Sequence, residues 1–233
     1  MIFFVGISRP VSTSIIMKCE EILHNGLKAL QIQASDKGIA SLCTYYAELV
    51  KWNQKMNLVA AAEMEEILEA HFLDSLTLLP ILADSPNLLD IGSGAGFPGL
   101  VIKTVRPEMA VTLVEPRQKR VTFLKHIGRA LELKNLQIIA DRLEPEKILT
   151  DLAGRYACIT SRAFTSIKDF LELSGPYGDA NGRVICMKGP GAKKEISDWQ
   201  HTHPDSKYTL MKIHTLHLPF SGKERNLLEF KIN

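Results

Sequence analysis

Apolar positions recur at helical spacing over the first third of the chain. They run from Ile15 to Ile32, then through Leu42, Tyr45, Tyr46, Leu49, Val50 and Trp52, with Ser35 or Asp36 placed to cap a second helix ending near Met56. Ile67, Leu68, Phe72, Leu76 and Leu79 form the buried stripe of a third helix over 63–82. Near 83–86 the pattern changes to alternating short apolar runs and amphipathic segments. Strands are predicted at 87–91, 111–115, 136–140, 156–160 and 183–187. Helices are predicted at 98–105, 120–133 and 167–173, with Pro98 suited to a first turn. The tail, 208–218 and 226–232, alternates apolar and polar residues and reads as a closing antiparallel pair.

Alternating β and α elements imply an α/β fold. The expected core is a Rossmann-like, mostly parallel sheet with an antiparallel C-terminal pair and helices on both faces. The expected organisation is a disordered or mis-assigned extension over 1–16, with Met17 as the expected true start, a helical subdomain over 17–82 and the sheet domain over 83–233. In such a sheet, ligands bind beyond the carboxyl ends of the strands, where the order reverses.

Composition narrows the class. The 233 residues are 45% hydrophobic and 23% charged, as in soluble globular chains, and no run is long and apolar enough for a membrane span. A net charge of +2 neither announces nor excludes a nucleic-acid partner. Cys19, Cys43, Cys158 and Cys186 show no CxxC or His spacing, so no metal site is expected and a reducing cytoplasm fits. The apolar start lacks a basic n-region and is broken by Arg9-Pro10, unlike a signal peptide.

The first strand runs into Asp90-Ile-Gly92-Ser-Gly94-Ala-Gly96-Phe97-Pro98-Gly99. Alternating glycines permit a tight turn and leave no Cβ in a ligand's way. Gly94–Gly99 also fits GxGxxG, the pyrophosphate-binding fingerprint of a nicotinamide oxidoreductase. A carboxylate at the strand tip would repel pyrophosphate and attract an ammonium or sulfonium group, which favours S-adenosylmethionine (AdoMet). Glu115, ending the second strand, suits ribose hydroxyls in either cofactor. Asp141-Arg142-Leu143-Glu144, ending the third, falls where an adenine would lie.

Absences restrict the acceptor. No Pro-Cys pair follows the fourth strand, as C5 methylation of a pyrimidine requires. The tetrad that accepts an adenine amino group is also missing; the segment reads Ser161-Arg162-Ala163-Phe164. The acceptor should therefore be nucleophilic without covalent help.

The ordered set Asn57-Leu58, His71-x-x-Asp74-Ser75, Asp90 to Gly99, Glu115, Lys119-Arg120, Ser161 to Phe164 and Lys188-Gly189 resembles the RsmG (GidB) methyltransferases over about residues 20–232. The resemblance implies AdoMet-dependent methylation of guanine N7 in 16S ribosomal RNA. It implies that Gly92 and Phe97 contact the cofactor, that Leu143 and Glu144 line its adenine, and that Arg162 sits at the methyl-transfer pocket. With the strand-end residues, the expected cofactor set is Asp90, Gly92, Gly94, Gly96, Phe97, Glu115, Leu143, Glu144 and Arg162, with Arg162 also catalytic and no metal. His71, Asp74 and Ser75 share a helix face and are read either as a lid over the pocket or as a lock between helices and sheet. Trp52 and Tyr45-Tyr46 fit core or interface packing. Arg117, Lys119, Arg120, Lys188, Lys193 and Lys194 are the candidate RNA contacts. The expected partner is 16S rRNA or the small ribosomal subunit, met by a monomer. The competing readings are a small-molecule methyltransferase, the nicotinamide oxidoreductase and a non-catalytic RNA-binding module.

Overall fold

A computed structural model describes residues 13–144, 148–162 and 166–232. Its helices are α1 (Thr13–Leu30), α2 (Asp36–Met56), α3 (Met64–Ile67), α4 (Asp74–Leu76), α5 (Gly99–Val105), α6 (Gln118–Ala130), α7 (Ile167–Ser174) and α8 (Ala192–Thr202). Its strands are β1 (Asn87–Ile91), β2 (Ala110–Val114), β3 (Leu136–Ile139), β4 (Tyr156–Arg162), β5 (Gly178–Lys188), β6 (Tyr208–His217) and β7 (Glu224–Ile232). They form one sheet in the order β3-β2-β1-β4-β5-β7-β6. The first five neighbours run parallel. β7 is antiparallel to both β5 and β6. The order reverses between β1 and β4, so the carboxyl ends of those two strands frame the expected binding edge.

The period-2 alternation of β1 divides its side chains between two cores. Leu88 joins the layer formed by α1, α2, α5 and α6, through Leu23, Leu42, Tyr45, Phe72, Leu100 and Phe123. Leu89 and Ile91 join the layer under α7 and α8, through Phe170, Leu171, Ile196 and Trp199. The N-terminal helices therefore share a core with the sheet, as one of its two covering layers. α1 begins at Thr13, ahead of Met17, so the end of the expected 1–16 extension is helix; residues 1–12 lie outside the described set.

Other boundaries move for local reasons. The third helix expected over 63–82 is α3, a π-helical segment (Leu68–Leu73) and α4, followed by turns to 84. Pro98 precedes α5, after a cis Phe97–Pro98 bond, and helical hydrogen bonding starts at Gly99. α8 was not expected; its buried residues are only Ala192, Ile196 and Trp199, too sparse a stripe to stand out. Ser35 caps α2 as expected, accepting from the Gly38 amide at 3.1 Å. Cys158 and Cys186 are free and buried, whereas Cys19 and Cys43 form a disulfide between α1 and α2 that their separation of 24 residues does not announce. Among the described residues no helix is long and apolar enough to cross a membrane, and no group of three His, Cys, Asp or Glu could hold a metal ion.

Candidate active site

The glycine loop leaves β1 with positive φ at Gly92 (75°), Gly94 (59°) and Gly96 (101°). These backbone angles are costly for any other residue. The three positions differ in what surrounds them. Among the described residues, a Cβ on Gly92 would meet nothing within 4 Å. One on Gly96 would strike the Tyr45 hydroxyl and come within 2.8 Å of Leu100 Cβ. Gly92 thus faces an open space, while Gly96 lets Tyr45 close on the loop and donate to the Ala95 carbonyl.

That open space is a cavity of about 440 Å³. Its walls come from the ends of β1, β2 and β3 and from α7. Ile91, Val114, Leu143 and Leu173 form the apolar part. Among the described residues of the lining, Asp141, Glu144, Asp169 and Glu172 are acidic and Arg142 is the one cation. Asp169 and Glu172 were missed in the sequence. Their spacing puts them on one face of α7, but only the tertiary fold turns that face toward β1.

Glu115 is buried just behind the loop. One carboxylate oxygen accepts from the Gly94 amide at 2.9 Å and the other from the Arg117 amide at 2.9 Å. Arg120 lies 3.8 Å from the first. Asp90 is fully buried on the opposite side of the sheet, because alternation along β1 places it on the same face as Leu88, beneath α5. One of its oxygens accepts from the Gly99 amide at 2.8 Å, while the other has no hydrogen-bond partner among the described residues. Burial pushes its pKa up to about 7, against the opposing Gly99 amide. Asp90, expected to meet a bound cation, thus lies outside the described lining of the cavity: its side chain braces the loop, and the acidic lining comes from the β3 end and α7.

Phe97 and Arg162 form a second cluster on that opposite face. Phe97 is buried, with the His71 ring stacked on it at 4.9 Å and the Arg162 guanidinium 5.1 Å above its centroid. Arg162 donates to the Ala70 carbonyl (2.7 Å) and to His71 Nδ1 (2.9 Å), and lies 3.5 Å from Asp74. Asp74 in turn binds Arg225 at 3.0 Å. Ala70 and His71 belong to the π-helical segment, whose widened turn brings a carbonyl and a ring nitrogen to one guanidinium. Such segments recur at functional sites. Burial and the Arg162 charge hold the His71 pKa down to about 4, so at neutral pH the ring is neutral and accepts at Nδ1. Of the two readings of that face, the contacts of His71 and Asp74 are those of a lock: by holding Arg162 they tie the helical layer to β4. Ser75 instead turns back and donates to the His71 carbonyl at 2.5 Å.

Of the residues expected from sequence, Gly92, Leu143 and Glu144 line the cavity. Gly94 and Glu115 are joined behind it. Asp90, Gly96, Phe97 and Arg162 lie toward α5 and the π-helical segment. Ala163 and Phe164 are outside the described residues. Of the candidate RNA contacts, Lys188 is held by Glu195 at 3.0 Å. Arg225 and Glu69 were not foreseen, and Tyr45 was expected only as packing. Glu69 accepts from the amides of Phe220 (2.6 Å) and Ser221 (2.8 Å), pinning the β6–β7 turn to the π-helical segment.

A crystal structure of a SAM-dependent methyltransferase from Aquifex aeolicus superposes with a TM-score of 0.53 at 18% identity, covering 72% of this chain and 93% of that one. The fold is thus that of the Rossmann-like methyltransferases, with the cavity at the edge where such sheets bind ligands. The model of the GidB family, rRNA small subunit methyltransferase G, matches residues 38–228. The ribosomal RNA small subunit methyltransferase G of Desulfotalea psychrophila is 42% identical over 207 residues, 88% of this chain and 95% of the relative. The protein of the same name from Myxococcus xanthus is 38% identical over 215 residues, 91% and 96% of the two chains. The chain belongs to the rRNA small subunit methyltransferase G family.

Proposed function

We propose that this chain methylates guanine N7 in the 16S rRNA of the small ribosomal subunit, with AdoMet as methyl donor. The observation that carries the choice of donor is the cavity at Gly92, whose described lining holds four carboxylates and one arginine. An acidic pocket with low-dielectric walls favours a sulfonium and an ammonium group and disfavours the pyrophosphate of a nicotinamide cofactor. Gly92, Leu143 and Glu144 would hold the donor from the cavity wall, with Gly94 and Glu115 setting the loop behind it. Asp90, Gly96 and Phe97 would support that loop from the α5 side. AdoMet, when bound, supplies an electrophilic methyl group.

The chain's remaining task is to orient the acceptor. Guanine N7 has an in-plane lone pair and no proton, so no side chain need act as a base. Arg162 is already fixed by Ala70, His71, Asp74 and Phe97, and can meet a guanine edge or ring without reorganising. N7 opens on the major groove, which in A-form RNA is too narrow for side chains. The target is therefore an unpaired or splayed base.

The test is mass mapping of 7-methylguanosine in rRNA from cells with and without the gene. Loss of one modified guanine on deletion is expected; an unchanged map would remove the RNA assignment. In vitro, Arg162→Ala should lower turnover on the order of 100-fold while AdoMet affinity holds. Unchanged turnover would remove Arg162 from the site.

A further inference from the structure

A second recess lies away from the glycine loop, between α2 and α6. It has a volume of about 500 Å³ and is lined by Lys51, Trp52, Lys55, Met56 and His126. Its floor is aromatic. The Trp52 and His126 rings lie 4.7 Å apart at 33°, and Phe123 supports Trp52 from below at 5.6 Å. Its rim is cationic. Lys51 and Lys55 are exposed on α2, and Lys125 and Arg129 are exposed on α6. The acid at the recess is Glu48, which is engaged by His126 and by Lys51 at 3.3 Å. α6 carries Lys119, Arg120, Lys125 and Arg129 and no acidic residue. It starts at the cofactor loop, where Arg120 faces Glu115. His126 is six residues further on, about 9 Å along the helix axis.

A half-buried indole beside an imidazole would be a wasteful surface without a planar partner. An aromatic floor with a lysine rim is the chemistry that takes single-stranded nucleic acid, since every base has a π-face and every linkage an anionic phosphate. We propose that the Trp52–His126 recess is a second RNA contact, which seats an unpaired base of the substrate RNA on Trp52 with its phosphate at Lys51 and Lys55. α6 is then the basic path between this anchor and the methyl-transfer site. The proposal rests on ribosomal RNA being the substrate. It adds a contact whose role is to hold the RNA, with no part in the chemistry.

The chain has two tryptophans, and the other, Trp199, is buried against Phe230. Trp199→Phe therefore leaves Trp52 as the lone indole reporter. Titrating this variant with an eight-nucleotide adenosine oligoribonucleotide should quench its fluorescence saturably. The double variant Lys51→Ala/Lys55→Ala, which changes only exposed side chains, should bind the oligonucleotide about tenfold more weakly. Its salt slope should fall by about 1.4, the value for two single-strand phosphate contacts. On unmethylated small subunits it should show a raised KM, an unchanged kcat and an unchanged AdoMet Kd. No quenching, or the same affinity and salt slope in the double variant, overturns the proposal. So does photo-cross-linking from position 52 to a ribosomal protein in place of RNA. If wild-type protein methylates no RNA, the parent reading fails; if it methylates RNA and the lysine variant matches it in KM, only the anchor fails.

Discussion

Two alanine substitutions in the glycine loop separate its ligand-facing side from its packed side. Gly92 and Gly96 both have positive φ, so alanine at either should cost about 1–3 kcal/mol in backbone strain. At Gly92 that is the whole expense, because the new methyl group meets nothing within 4 Å among the described residues. At Gly96 the methyl group must displace the Tyr45 hydroxyl, which is bonded to Ala95, and press on Leu100, itself fully buried. Overpacking of that kind adds about 1–3 kcal/mol. For a chain of this size each kcal/mol lowers Tm by about 2–4 °C. Gly96→Ala should therefore melt about 2–12 °C below Gly92→Ala. Ligand binding should rank them the other way. The Gly92 methyl group enters the 440 Å³ cavity, so titration calorimetry below both transitions should show AdoMet affinity down about tenfold or more in Gly92→Ala and nearly retained in Gly96→Ala. Equal melting temperatures, or wild-type AdoMet binding by Gly92→Ala, would refute the division of the loop into a ligand side and a packed side.

Asp90, with a folded pKa of about 7 against an ordinary 3.8, holds a proton that the unfolded chain has released. Its contribution to stability is thus complete below about pH 4 and disappears as pH rises through 7. Urea midpoints of the ligand-free protein should fall between pH 5 and 8, and Asp90→Asn should flatten that slope; an unaltered slope would exclude Asp90 as its source. Asp74 is buried between Arg162 and Arg225. Asp74→Ala should cost about 3 kcal/mol, the low end for a broken buried pair because both arginines keep some water contact, and adding Arg225→Ala should restore part of it. Strict additivity of the two in urea unfolding would show that no such pairing exists.

The glycine loop was legible because its signal is local. A five-residue strand with Leu88, Leu89 and Ile91 as its apolar members, then three alternate glycines and a helix, describe one turn, and the turn forms where expected. The strand pattern of the second half was legible for the same reason, since short apolar runs between turn residues, and the alternation of the C-terminal pair, are read within each segment. Residue types at those strand ends also marked Leu143 and Glu144 before any geometry was known. The order of pairing was not so marked. β7 enters between β5 and β6 because hydrogen bonds between residues far apart in sequence decide it, and nothing along either strand encodes that neighbour.

Side-chain direction belonged to the tertiary structure as well. Asp90 looks like a ligand-facing acid in a motif, yet alternation along β1 and the cover of α5 turn it inward. Asp169 and Glu172 look like a solvated helix face, yet packing of α7 under the sheet brings them to the cavity. Arg162 could be named from sequence but not its support, because Ala70, His71, Asp74 and Phe97 meet only once the helical layer closes on β4. Local propensity and periodicity therefore set the elements and the loop, while long-range burial decided which charges face the ligand and which hold the fold.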